Sequence, residues 1–382
     1  MKIKYPDYNN CLVNLTSSIL NFYGVNSNHR PLSELDYYLA KDYQNVVLIV
    51  YDGLGSNLLQ RHLGAKSFLA RHKIKDLTSV FPATTTAAYT SIITGKTPTE
   101  HCWLGWDIYV EAFDQTISMF LNTVKGTNEQ AANYHVPRQE FSNTAIDERI
   151  DEAGRAKMYW LGPFEKIRYD RDQIDEMYNK ITQLCQTNEK KFIYAYCLEP
   201  DHNMHLYGVE DERVVDNMKL LDRKTAALVD QLEDTLIIVT ADHGHLTAGE
   251  YIYLSDYPEL QKMLRRETSL EPRAVNFFVK DEMLAAFKNE FNKLFGRDFI
   301  LFSKQEVLDR QLFGPGKPHE KFVSCVGDYL AVAITDKCLI EHRSLNQLTG
   351  VHAGMTEDEM MVPLIVIEKR REGESDDWIR QI

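Results

Sequence analysis

With 382 residues, 44% of them hydrophobic and 26% charged, the chain is long enough for a large buried core and is neither disordered nor fibrous in composition. A formal net charge of −13 gives no support to nucleic-acid binding, which calls for basic surfaces. No stretch approaches the roughly 18 uninterrupted apolar residues of a membrane span.

The amino-terminal Met1-Lys2-Ile3-Lys4-Tyr5-Pro6-Asp7 has no apolar core of signal-peptide length. Cys11, Cys102, Cys185, Cys197, Cys325 and Cys338 form no CxxC pair, which suits free thiols in a reducing compartment; a cytoplasmic location is expected. Residues 1–44 are polar and turn-rich, with helix-like pieces around Leu12–Phe22 and Leu32–Leu39 and no evident chemistry. The first buried strand is Asn45–Tyr51, followed by Asp52-Gly53-Leu54-Gly55 and a helix start at Leu58–Leu63. A second unit runs from Lys75–Phe81 through a threonine run to Ser91-Ile92-Ile93-Thr94-Gly95.

Between about 110 and 190 the pattern is mixed, with a strand at Lys157–Gly162 and a helix at Ile174–Cys185. Lys191–Cys197 is a strong strand that ends at Leu198-Glu199-Pro200-Asp201. A long helix from Asp211 to about Leu232 then feeds the strand Leu236–Thr240. This alternation predicts an α/β fold with a mostly parallel central sheet and helices on both faces. The rhythm breaks over 255–345, where helices around Pro258–Arg266 and Met283–Phe295 and a strand at Tyr329–Ile334 suggest an inserted α+β subdomain. The core then comprises 1–254 and 346–382, with a last strand at Val362–Ile367 and a charged tail.

Ala241-Asp242-His243-Gly244 sets a carboxylate beside an imidazole at the end of a buried strand, where open α/β sheets place their active sites. Asp52 follows another strand, Asp201 and His205 a third, and His352 precedes the last. Three carboxylates and three imidazoles are the donor count that two divalent metals need. Asp201 and His205 stand four residues apart, so a helical turn would place both on one face; His202 falls about a quarter-turn short. His245 is expected beside the ligands or against substrate rather than among them. Thr84-Thr85-Thr86 could cap a helix beginning near Ala87, or could supply a metal-activated hydroxyl at a helix N-terminus.

These segments, with Phe81-Pro82-Ala83-Thr84-Thr85-Thr86 and Glu199-Pro200-Asp201 among them, resemble the alkaline phosphatase superfamily, nearest its type I phosphodiesterase/nucleotide pyrophosphatase branch. The resemblance covers roughly 45–110, 192–250 and 348–368, about half the chain. It implies two divalent metal ions, zinc above all: one held by Asp201, His205 and His352, the other by Asp52, Asp242 and His243 with Thr85 coordinated beside them. It implies a small phosphorylated substrate, a nucleotide among the candidates, attacked by Thr85 to give a phosphothreonine, with Thr84 the runner-up nucleophile.

Two departures stand out. Trp106 occupies the place where the family has an asparagine that donates to the phosphoryl oxygen, so its indole either binds substrate or packs as an aromatic. Met204 replaces a glycine before the ligand histidine. Sulfatases are excluded because no Cys-x-Pro-x-Arg motif occurs. A phosphonoacetate hydrolase would share these residues. A phosphomonoesterase would need extra positive groups, for which Arg155, Lys157 and Arg168 are the candidates. A non-catalytic, metal-stabilised binding protein is the alternative outside enzymes. The oligomeric state is not legible.

Overall fold

Strands rich in Val, Ile and Tyr that are buried along their whole length need cover on both faces, and this requirement organises the molecule. Asn45–Tyr51, Lys191–Cys197 and Thr235–Thr240 are such strands. The computed structural model describes residues 1–162, 174–343 and 347–371, and in it these three form the centre of a six-stranded sheet. Its order is Lys73–Thr78, Met361–Lys369, Thr235–Thr240, Asn45–Tyr51, Lys191–Cys197, Lys157–Leu161. The last four run parallel to one another, while Met361–Lys369 runs antiparallel to both of its neighbours. The reason is local. The chain reaches that strand from His352, already at the end where the parallel strands finish, so it has to run back.

The helix Glu212–Asp230 begins at Asp211, whose carboxylate accepts from the Arg213 N–H at 3.0 Å, and buries Val214, Met218, Leu221 and Leu228. The helices Leu12–Phe22, Ser33–Leu39 and Ile174–Cys185 also lie as their spacing predicts. The expected helix at Pro258–Arg266 is cut to Pro258–Gln261, because the Arg265 N–H donates to the Phe278 carbonyl at 2.9 Å and the chain turns to extended pairing.

A second, antiparallel sheet of seven strands packs beside the first. It runs Phe299–Ser303, Tyr329–Ala333, Ala274–Phe277, Ser269–Glu271, Asp107–Val110, Gln115–Ser118, Thr123–Val124. Residues 107–124 therefore share a sheet with the 255–345 segment, a pairing between distant strands that no local pattern discloses. Phe277, Phe287, Phe291, Phe295 and Phe299 form its outer core.

Arg273, fully buried, ties the second sheet to the loop that follows His352. Its Nε and Nη2 donate to Glu359 at 2.6 and 2.8 Å, and its remaining N–H groups reach the Lys337 and Thr335 carbonyls. Glu359 in turn accepts from the Gly354 N–H at 2.7 Å. Among the described residues all six cysteines are free, and no helix is long and apolar enough to cross a membrane.

Candidate metal centre

Register brings the loops together. Tyr51 pairs with Cys197 and Val50 with Thr240, so Asp52, Asp201 and Asp242 all emerge from one edge of the sheet. Their approach is close enough to demand glycine. A Cβ on Gly53, where φ is +75°, would meet Met204 Cε at 2.7 Å, and one on Gly244 would meet the Asp358 carbonyl at 2.0 Å. Met204 is thereby accounted for: it is buried under the loop rather than turned to substrate.

Asp201 opens the helix Asp201–Tyr207 and His205 follows one turn later, with Nε2 3.2 Å from Asp201 Oδ2. Asp52, Asp242 and His243 converge as a second set, with His243 Nε2 3.3 Å from Asp52 Oδ1. The two sets adjoin, since the rings of His243 and His352 stack at 3.8 Å between centroids. Every carboxylate and imidazole expected as a metal ligand falls in one set or the other, and His245 lies with Asp201, His205 and His352.

Backbone carbonyls choose the tautomers. Nδ1 of His205 donates to Gly350, Nδ1 of His243 to Gly244 and Nδ1 of His352 to Ala83, at 2.8, 2.9 and 3.2 Å. Each Nε2 is left facing the cluster, where a bound metal would take its lone pair. Asp52 Oδ1, Asp201 Oδ1 and both nitrogens of His245 are buried without a hydrogen bond. Buried polar atoms without partners are costly, so this donor set fits divalent cations such as zinc.

Electrostatics agree. Burial, then the charges of Asp201 and Asp242, hold the Asp52 carboxyl well above its usual range. Burial lowers His205, but the Asp201 carboxylate outweighs it and brings the imidazole to about 9. The metal-free protein thus holds an Asp201–His205 ion pair.

Thr85 is the first residue of the helix Thr85–Thr94, and its Oγ1 lies 3.2 Å from His243 Nε2. The helix begins two residues before the expected start, and no threonine hydroxyl caps it. Thr84 instead donates to Glu271 Oε1 at 2.7 Å, and the same oxygen accepts the backbone N–H of Trp106 at 2.7 Å. Burial pushes Glu271 up to about 7 against the pull of those two hydrogen bonds.

Trp106 is 39% exposed, with its ring edge-on to Phe120 at 5.8 Å. Lys157 begins its strand opposite Lys191, at the sheet end away from Asp52, and Arg155 lies beside Gly24; neither reaches the centre. Arg168 lies outside the described residues.

Two residues escaped the sequence reading. Tyr196 reaches Asp52 Oδ2 at 2.6 Å and Asp242 Oδ2 at 3.0 Å and so orients both carboxylates; a tyrosine one residue from the end of a buried strand was its only trace. Glu271 left none, because it comes from the second sheet. His245, expected beside the ligands, has Nε2 3.0 Å from Asp201 Oδ1.

His101, which leads into the Trp106 stretch, is structural. Its Nδ1 accepts the Trp103 N–H at 3.0 Å and its Nε2 contacts Ser91 Oγ at 2.9 Å. Burial pulls it from 6.5 to about 3, so its stabilisation is complete above pH 6.5 and is lost as pH falls from there toward 3. Urea unfolding between pH 7 and pH 5 should show a loss of about 2 kcal/mol from this group that is absent in His101→Gln.

No curated protein matches the sequence. Murine ectonucleotide pyrophosphatase/phosphodiesterase 5, an inactive form in complex with AMP, is 17% identical with a TM-score of 0.62, over 85% of this chain and 87% of that one. The human protein is 16% identical with a TM-score of 0.63, over 85% and 88%. Phosphonoacetate hydrolase from Sinorhizobium meliloti 1021, in complex with phosphonoacetate, is 16% identical with a TM-score of 0.62, over 86% and 91%. The model of the type I phosphodiesterase / nucleotide pyrophosphatase family matches residues 46–298, more than half of the chain, and the protein belongs to that family.

Proposed function

We propose that this hydrolase of phosphate esters cleaves phosphodiester or nucleotide pyrophosphate bonds through a phosphothreonine on Thr85. The observation that carries the reading is the meeting of two donor sets beside the Thr85 hydroxyl at a helix N-terminus. Asp201, His205 and His352 would hold one zinc and Asp52, Asp242 and His243 the other. Two bound dications would lower the hydroxyl pKa of Thr85 and neutralise charge on the phosphoryl oxygens.

Thr85 Oγ1 then attacks phosphorus, the bond to the leaving alcohol or nucleotide breaks, and water cleaves the Thr85–phosphoryl bond. Throughout, the helix N-terminus favours the anionic phosphoryl group. Thr84 is a poorer nucleophile because its hydroxyl is committed to Glu271.

Glu271 also favours a diester over a monoester. A dianionic monoester carries one more negative charge than a diester. Above about pH 7, where Glu271 is ionised, its repulsion at an effective dielectric of about 20 costs roughly 1–2 kcal/mol, about tenfold. Arg155 and Lys157 are too distant to offset it. The capture of AMP by a murine relative supports a nucleotide among the substrates, and the six free thiols suit the cytoplasm.

The test is a hydrolysis screen of the zinc-loaded protein on diester, pyrophosphate, monoester, phosphonate and sulfate substrates. We expect kcat/KM for the first two to exceed that for monoesters by tenfold or more. Faster cleavage of a phosphonate carbon–phosphorus bond, or of monoesters, would replace this reading. Two bound zinc ions with no turnover would leave a metal-stabilised binding protein.

A further inference from the structure

We infer that Glu271 is a positioning residue: it holds the Thr84 hydroxyl off the first turn of the helix Thr85–Thr94, so that the N–H groups there stay free for the phosphoryl group. The inference rests on the reading above and deepens it by giving a residue of the second sheet a part in the reaction, exerted through Thr84.

Thr84 has the place and the backbone of a cap. It precedes the first helical residue with φ −137° and ψ 149°. A threonine there ordinarily accepts an N–H from the second or third residue of the helix, here Thr86 or Ala87. Thr84 makes no such bond. Its hydroxyl donates instead to Glu271 Oε1 at 2.7 Å, and both residues are buried. The first N–H groups of a helix have no partner inside it, so a capping side chain and an anion compete for the same donors. A hydroxyl one residue before Thr85 is the nearest competitor, and Glu271 takes it away.

The contact is built into the fold. The Trp106 N–H donates to the same oxygen at 2.7 Å, and two donors on one atom fix the carboxylate. Gly105 lets the Trp106 stretch come this close, since a Cβ there would meet Leu270 Cα and Cβ at 3.0 Å. Leu270, the residue before Glu271, is buried with φ at +74°, a left-handed conformation that a leucine rarely adopts. Two residues further on, Arg273 is pinned by Glu359 at 2.6 Å. Glu271 is therefore aimed at Thr84 by a strained backbone on one side and an anchored one on the other.

Kinetics of the full-length, zinc-loaded protein on a phosphodiester test this. Glu271→Ala releases the Thr84 hydroxyl to cap the helix, and we expect kcat to fall by about a hundredfold, the cost of losing one donor to the reacting group. Inorganic phosphate, which competes for the same N–H groups, should inhibit this variant at least about tenfold more weakly than the parent. Glu271→Gln keeps an acceptor for Thr84 and should recover most of the activity. The deciding variant combines Glu271→Ala with Thr84→Val: with no hydroxyl left to cap the helix, kcat should return to within about tenfold of the parent. A carboxylate that only supports the fold gives the opposite result, because a second buried substitution then adds to the damage. Near-UV circular dichroism checks the fold, and Glu271→Leu replaces the alanine in both variants if the alanine chain does not fold. A double variant as slow as Glu271→Ala, or a Glu271→Ala enzyme within about threefold of the parent, would overturn this inference and leave the proposed function standing. A parent protein with no turnover on any phosphate ester would overturn both.

Discussion

Thr85→Ala is expected to lower kcat on a phosphodiester by about ten-thousandfold or more, with bound zinc nearly unchanged. The magnitude follows from the role. A missing nucleophile removes the covalent route altogether, leaving only what the metals and the helix N-terminus offer to direct attack by water. Metal retention follows from geometry, because Asp52, Asp242 and His243 remain as three donors without the hydroxyl. Acid quenching with labelled substrate should trap phosphothreonine in the parent and none in the variant. Activity that survives Thr85→Ala but vanishes in Thr84→Val would move the nucleophile to Thr84, and with it the meaning of the Glu271 contact.

Stripping the metals should have the second-largest effect: activity lost by a thousandfold or more, restored by zinc, with a large fall in thermal stability. Asp52, Asp201 and Asp242 are buried together, and no Lys or Arg ion pair is recorded for any of them among the described residues. Burial and mutual repulsion already hold Asp52 well above its usual range. A metal that binds only the folded chain adds about 4 kcal/mol at a concentration of about a thousand times its Kd. Scanning calorimetry with and without zinc measures it. Asp52→Asn separates relief of repulsion from ligand loss: the metal-free variant should melt higher than the metal-free parent and respond less to zinc. An unchanged melting temperature on chelation would count against buried metals.

Long-range contacts hold the candidate site together. Arg273 and Glu359 lock the second sheet to the loop after His352, and the Glu359 carbonyl accepts the Gly244 N–H at 2.7 Å. The candidate donor sets sit on loops of the parallel sheet, but part of their surroundings comes from the other sheet. Glu271 at the Thr84 hydroxyl is the clearest case.

The sequence by itself determined the strands of the central sheet, the long helix after Asp211, and the carboxylates and imidazoles of both donor sets. Those features are local. Buried strands announce themselves by composition, helices by spacing, and a ligand by its place just past a strand end. Only the tertiary structure decided that residues 107–124 join the sheet of the 255–345 segment, that Tyr196 bridges two carboxylates, and that Glu271 faces Thr84. It also decided that Arg155 and Lys157 lie at the wrong end of the sheet and that His245 turns inward. Strand partners, side-chain direction and burial depend on contacts between residues far apart in the chain, and no window of neighbouring residues carries them.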